Sequence, residues 1–174
     1  QTIVLGLIGA AIAISYPLFK RFTHLPQLYL GIAFSWGIPM AFAAQTGRVP
    51  ALAWWILCAN LLWTVAYDTM YAMADRPDDL KIGLKSTAIL FGQYDLLVNA
   101  VLQALALAVL GIIGWGLHLN GWYYLGLVGA AGTAVYQYRL CRGRDRDMCL
   151  KAFINNTWFG ACVFAGLVFS YRLN

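Results

Sequence analysis

Six long apolar runs dominate the sequence and limit what the chain can fold into. They cover roughly residues 1–19, 27–44, 51–74, 94–116, 121–140 and 152–172. A helix that crosses a bilayer needs about 20 mostly apolar residues. Only 11% of the residues are charged, against roughly a quarter in soluble domains. We therefore predict an all-α integral membrane protein with about six transmembrane helices, the second of them bent at Pro39.

The basic residues fall on one side of this predicted topology. The loops after the first, third and fifth runs contain most of them: Lys20, Arg21, Arg76, Lys81, Lys85, Arg139, Arg142, Arg144, Arg146 and Lys151. The opposite side has Arg48 and Arg172. This bias places the three basic loops in the cytoplasm. The net charge of +5 therefore indicates a lipid bilayer as the partner, and we expect no nucleic-acid binding.

Four cysteines, Cys58, Cys141, Cys149 and Cys162, are spread along the chain. They form no C-x-x-C pair, and no histidine is spaced to complete a zinc site with them. We expect neither a disulfide framework nor a zinc centre.

Acidic residues are concentrated in one stretch. Four of the seven carboxylates, Asp68, Asp75, Asp78 and Asp79, lie within twelve residues, and the chain contains no glutamate. Aspartates without nearby cysteine or histidine ligands suit Mg²⁺, which takes one or two carboxylates together with water and phosphate oxygens. The alternative is a solvated acidic loop beside ordinary positive-inside charges. The polar helix face that leads to the cluster favours the metal site.

That polar face belongs to the third run. Its members recur at steps of three and four residues: Asn60, Thr64, Tyr67, Asp68, Tyr71 and Asp75. Such steps place side chains on one face of a helix. Ionisable residues within a span usually face a bundle interior or a wet cavity, so we predict a polar cavity that opens at the cytoplasmic side. Pro77 disfavours helix at the preceding residue, and we expect the helix to end or kink near Asp75.

The segment from Ala66-Tyr67-Asp68-Thr69 through Ala88-Ile89-Leu90-Phe91-Gly92 resembles the UbiA family of membrane prenyltransferases. Tyr71-x-x-x-Asp75-x-x-x-Asp79 with the following Lys81-Ile82-Gly83-Leu84-Lys85-Ser86-Thr87 is similar to the second aspartate-rich motif of that family. Trp36-Gly37-Ile38-Pro39 and Lys151-Ala152-Phe153 fit the bacterial members that prenylate 4-hydroxybenzoate.

The resemblance implies transfer of a polyprenyl group from polyprenyl diphosphate to the aromatic ring of 4-hydroxybenzoate, with Mg²⁺ as cofactor, at a bacterial inner membrane. Asp75 and Asp79 would bind Mg²⁺, with Asp78 as a further candidate. Cations would hold the diphosphate or the benzoate carboxylate: Arg21, Lys81 and Lys85. Aromatic and acidic side chains would shape the cavity and orient substrate: Tyr16, Tyr67, Tyr71 and Asp68.

One departure from the family pattern affects these expectations. Family members resemble a nine-helix bundle and carry an earlier Asn-Asp-x-x-Asp-x-x-x-Asp motif, which this chain does not contain. We expect residues 1–174 to be one transmembrane domain that supplies the later helices of a longer protein, inactive by itself. Two alternatives remain open: another acceptor, such as a naphthoate, a chlorin or haem, and a non-enzymatic cation transporter.

Overall fold

A computed structural model describes residues 1–173, and of Lys20 and Arg21 it describes the backbone alone. This part of the chain is helical and contains no β-strand. The helices are α1 (Thr2–Phe22), α2 (Pro26–Ser35), α3 (Gly37–Thr46), α4 (Ala51–Ile82), α5 (Thr87–Phe91), α6 (Asp95–Gly116), α7 (Gly121–Cys141) and α8 (Arg146–Arg172), with a 3₁₀ turn at Gly92–Tyr94. The all-α prediction is confirmed, and all six predicted runs are helical.

The second predicted run is divided into two helices. The break lies at Trp36, between α2 and α3, one turn before the predicted bend at Pro39. Pro39 has no N–H to donate to the carbonyl of Ser35, and its ring crowds that carbonyl. The Trp36 indole Nε1 donates to the carbonyl of Leu5 at 2.9 Å, so the break is fixed against α1.

The third run does not end near Asp75, and that part of the prediction is wrong. Helix α4 continues through Pro77 to Ile82 and has 32 residues. It ends at Gly83, whose φ of 69° is left-handed, and the N–H of Leu84 then donates to the carbonyl of Asp79 at 2.9 Å. This helix end satisfies carbonyls that would otherwise have no donor. Asp75 and Asp79 therefore lie on one helix.

The last helix begins six residues before the predicted start at 152. Asp145 caps it, because its Oδ1 accepts a hydrogen bond from the N–H of Met148 at 3.0 Å. Aspartate is among the best N-cap residues. The first turn of α8 is charged, so apolar periodicity alone could not reveal it.

Five segments are long and apolar enough to cross a membrane within the described residues: Thr2–Phe19, Pro26–Thr46, Ala51–Ile82, Thr87–Gly116 and Arg146–Arg172. Helix α7 has 21 residues but is not among them, since glycines, tyrosines and a glutamine lower its hydropathy. It packs against α6 and α8. Helix α7 is thus less apolar than a typical span and lies between two neighbouring helices.

Helix α4 is the centre of the bundle. It packs against α2, α3, α5, α6 and α8, while α1 packs against α2 and α3. Near the C-terminal end of α4, a cluster of buried small and sulfur-containing side chains joins it to α5, α7 and α8: Met70, Ala72, Met73, Ala74, Ala88, Cys141, Cys149 and Ala152. All four cysteines are free.

Helices α7 and α8 approach each other closely at a pair of glycines. A Cβ atom on Gly126 would lie 2.6 Å from the carbonyl oxygen of Cys162 and 2.8 Å from the Cα of Gly166. These are backbone atoms, which cannot move aside as a flexible side chain could. Small residues permit such close helix contact in membranes.

The Gly126→Ala variant should therefore be less stable, by about 1–3 kcal/mol, the usual cost of overpacking. Gly132→Ala is the matched control, since a Cβ there meets no atom within 4 Å. Thermal unfolding in detergent would compare the two. Equal stability of both variants would contradict the assigned contact.

Candidate active site

A polar pocket of about 100 Å³ lies between the C-terminal half of α4, the end of α1, the start of α2 and the loop after α4. Its walls are Tyr16, Gln27, Asp68, Tyr71, Ala72, Asp75, Asp79, Leu84, Lys85 and Ser86. Six of these residues are predicted site residues. The structure thus brings Tyr16, Asp68, Tyr71, Asp75, Asp79 and Lys85 together.

Helix α4 supplies the acidic wall of the pocket. Asp68, Tyr71, Asp75 and Asp79 follow one another at steps of three, four and four residues, which keeps them on one helical face. The Tyr71 hydroxyl hydrogen-bonds to the Asp75 carboxylate. The three carboxylates are partly buried. This wall therefore presents carboxylate oxygens to a space that remains open to solvent.

Lys85 supplies a positive charge on the opposite wall. It follows the left-handed Gly83 that ends α4, and its Nζ lies 3.5 Å from the carbonyl oxygen of Phe22 at the end of α1. An ammonium group attracted to the carbonyl end of a helix is favourably placed. Lys85 therefore joins α1 to the pocket while its charge stays beside the aspartates.

Buried hydrogen bonds hold the loop that carries Lys85. The N–H of Thr87 donates to Gln27 Oε1 at 3.0 Å, and Ser86 caps α5 by accepting from the N–H of Ile89 at 3.3 Å. Thr69 Oγ1 donates to the carbonyl of Val65 at 2.6 Å. Its single hydrogen is thereby used, so the Thr87 hydroxyl donates to Thr69 Oγ1, 2.8 Å away.

Two predicted site residues face away from the pocket. Asp78 and Lys81 pair with each other at 3.0 Å, and Arg146 at the start of α8 pairs with the other oxygen of Asp78 at 2.9 Å. The Lys81 side chain is 73% exposed. Both residues thus form an ion-pair group at the surface that joins α4 to α8. The side chain of Arg21 lies outside the described residues.

Tyr67 lines a separate, more apolar opening. It contacts Trp63 and Phe153, with ring centroids 5.4 and 5.9 Å apart. The opening has a volume of about 400 Å³ and includes Asn156, whose Oδ1 accepts from Trp63 Nε1 at 3.1 Å. Tyr71 also contacts Phe153, at 5.1 Å. Aromatic rings therefore extend from the polar pocket along α4 and α8.

Sequence reasoning missed Gln27 and Ser86. Gln27 is buried and follows Pro26 at the start of an apolar run. Its isolated amide at a helix start could have indicated a pocket residue. Ser86 precedes a short helix, and serine is a favoured N-cap. Neither signal reveals that Gln27 and Ser86 line the same pocket or that Gln27 accepts from the N–H of Thr87, 60 positions later.

The donors in this pocket fit Mg²⁺, which the sequence resemblance implies. Asp75 and Asp79 offer hard oxygen ligands with no competing thiol or imidazole in the pocket. Among the described residues no group of three or more metal-binding side chains is assembled. Mg²⁺ needs only one or two carboxylates when water and phosphate oxygens complete its shell. The donor set is thus consistent with a cation that binds together with a phosphorylated substrate.

The family model described as the UbiA prenyltransferase family matches residues 1–169. The chain belongs to the UbiA prenyltransferase family. This UbiA chain is 58% identical over 170 residues to a protein of Methylococcus capsulatus named 4-hydroxybenzoate octaprenyltransferase, covering 98% of the chain and 58% of that relative. A Coxiella burnetii protein of the same name is 54% identical, with 98% and 60% covered. The chain therefore spans about three fifths of the length of these relatives.

The fold also matches a solved membrane protein. The apo structure of a UbiA homolog from Aeropyrum pernix K1 aligns with a TM-score of 0.72 and 24% sequence identity, and the match covers 94% of this chain and 63% of that one. At this identity the match supports the fold alone. The helical arrangement is thus that of a UbiA membrane bundle.

The Thr69→Val variant should lose about 1–3 kcal/mol of stability, because it leaves the buried Thr87 hydroxyl without an acceptor. Adding Thr87→Val should cost less than the sum of the two single changes, since it removes the donor as well. Thr157→Val, at an exposed position, is the control. Additive losses in chemical unfolding would contradict the hydrogen bond.

Proposed function

We propose that this chain carries part of the active site of a Mg²⁺-dependent 4-hydroxybenzoate polyprenyltransferase of ubiquinone biosynthesis. The enzyme would transfer a polyprenyl group from polyprenyl diphosphate to the aromatic ring, at the cytoplasmic face of a bacterial inner membrane. One observation carries the proposal: a single pocket combines Asp75 and Asp79 with Lys85, beside an aromatic wall in an apolar bundle. That combination suits a substrate with a diphosphate head and a hydrocarbon tail.

The two aspartates and the lysine would handle the diphosphate. Asp75 and Asp79 would hold Mg²⁺, and Lys85 would bind a diphosphate oxygen directly. When bound there, Mg²⁺ would neutralise negative charge on the leaving diphosphate and so favour cleavage of the allylic C–O bond. Asp78 is already engaged by Lys81 and Arg146, so we assign it to holding α4 and α8 together.

The aromatic residues would stabilise the prenyl group as positive charge develops on its first carbon. Tyr16 and Tyr71 border the pocket, and aromatic ring faces attract cations. Tyr67 and Phe153 continue this wall into the apolar opening. The electron-rich ring carbon ortho to the phenol hydroxyl would form the new C–C bond and then release its proton to water, which restores the aromatic ring. Asp68, on the same face of α4, would orient the acceptor.

The choice of 4-hydroxybenzoate rests on the names of the relatives and on the sequence motifs. Membranes that contain the full-length gene product should form prenylated 4-hydroxybenzoate from a polyprenyl diphosphate when Mg²⁺ is supplied, and EDTA should stop the reaction. Mass spectrometry would identify the product. Prenylation of 1,4-dihydroxy-2-naphthoate alone would assign another acceptor, and metal-dependent transport without any prenylated product would favour a transporter.

Asp75→Asn or Asp79→Asn should lower kcat/KM by about 100-fold or more, the scale of losing one charge-stabilising group in an active site. Asp147→Asn, an exposed position in the first turn of α8, is the matched control and should keep activity. Kinetics with equal amounts of folded protein would compare them. Normal Mg²⁺-dependent turnover in both pocket variants would remove these aspartates from the proposed metal site.

A further inference from the structure

Asp95, at the start of α6, is fully buried between two arginines. Arg76 of α4 pairs with its Oδ2. Arg144, in the turn between α7 and α8, places its Nη2 2.8 Å from Oδ1 and its Nε 3.2 Å from both carboxylate oxygens. The hydrogen bonds that Arg144 donates to the Asp95 carboxylate raise the pKa of Arg144. The Asp95 carboxylate thus joins the last two turns of α4, the start of α6 and the turn between α7 and α8.

The arginines also bind the backbone around the short helix α5. Arg76 Nη2 donates to the carbonyl of Ala88 at 2.6 Å, and Arg144 Nη2 donates to the carbonyl of Gln93 at 2.9 Å. Leaving a buried carboxylate without one of its partners costs free energy. Asp95, Arg76 and Arg144 are therefore held in one well-defined arrangement. Removing its negative charge would release α4 and the segment after Lys85 together.

Arg76 lies inside the aspartate motif itself. It follows Asp75 directly, and one residue turns a helix by about 100°, so Arg76 reaches α6 while Asp75 faces the pocket. Pro77 comes next and cannot donate to the carbonyl of Met73, which weakens the helix at this turn. Asp79 lies beyond this weakened turn. Its position therefore depends on side-chain contacts as well as on helical hydrogen bonds.

We propose that Asp95 is a positioning residue for the metal and diphosphate site. Through Arg76 it fixes the rotation of α4 across Pro77, so that Asp75 and Asp79 face the same space, and through Arg76 and Arg144 it fixes the backbone after Lys85. Asp95 itself contacts neither substrate nor metal. This inference rests on the proposed function, because it assigns a role toward the proposed metal site.

The experiment compares wild type, Asp95→Asn, Asp95→Glu and Asp147→Asn in the full-length gene product. Electron paramagnetic resonance would measure Mn²⁺ binding in place of Mg²⁺, and thermal unfolding would measure stability. Kinetics would give the Mg²⁺ concentration for half-maximal rate and KM for the aromatic acceptor. All measurements would use temperatures at which each variant is folded.

Asp95→Asn should weaken Mn²⁺ binding and raise the half-maximal Mg²⁺ concentration by about 10-fold, the scale for losing a residue that orients metal ligands. KM for the acceptor should stay within about 2-fold, because Asp68, which is proposed to orient the acceptor, lies on α4 before the Pro77 turn. Asp95→Glu should recover part of the Mn²⁺ affinity, and Asp147→Asn should resemble wild type.

A purely structural role predicts a different result, which would overturn the proposal: lower thermal stability of Asp95→Asn with unchanged Mn²⁺ affinity. If Asp95→Asn does not fold, Arg144→Lys tests the same point, since it keeps the charge but loses the forked hydrogen bonds. It should weaken Mn²⁺ binding by a smaller factor, and unchanged affinity would again overturn the inference. A wild-type protein that binds no Mn²⁺ would instead refute the proposed metal site.

Discussion

The continuity of helix α4 is the constraint on which the rest of the structure depends. A helix that crosses a membrane must satisfy its own backbone hydrogen bonds, yet α4 passes through Pro77, which supplies no N–H. The turn is supported from outside, by Arg76 bound to Asp95 and by Asp78 bound to Arg146. Because the helix continues, Asp79 lies one turn from Asp75 and faces the same pocket. The geometry of the proposed metal site and the stability of the fold therefore depend on the same residues.

Charged groups at this end of the bundle fall into two sets with different surroundings. Asp95 is fully buried and meets two arginines, whereas Asp75 and Asp79 line an open pocket beside a single lysine. A buried carboxylate that two arginines hold keeps one geometry, whereas a partly hydrated carboxylate can exchange water for a ligand. Aspartate is thus a fixed structural link in one place and a proposed metal ligand in another.

Local patterns in the sequence predicted the helical membrane fold and the acidic wall of the pocket, whereas Tyr16 and Lys85 were predicted from the family resemblance. Apolar run length located the helices, and steps of three and four residues placed Asp68, Tyr71 and Asp75 on one face. The pairing of Arg76 with Asp95 could not be predicted, since a charge pattern does not specify its partner across a loop. The start of α8 depended on the Asp145 cap, which carries no apolar signal. The outward position of Asp78 likewise follows from Arg146, which is distant in sequence.

The close contact between Gly126 of α7 and Gly166 of α8 has a consequence for how the protein is made. Among the described residues, helix α7 is not one of the segments long and apolar enough to cross a membrane, and insertion of a segment into the bilayer depends on its hydrophobicity. Two helices joined by a short turn and packed backbone to backbone can leave the translocon as one hairpin, so that α8 supplies the driving force for both. The glycine pair would then also matter during biosynthesis, because it would let α7 enter the membrane together with its neighbour.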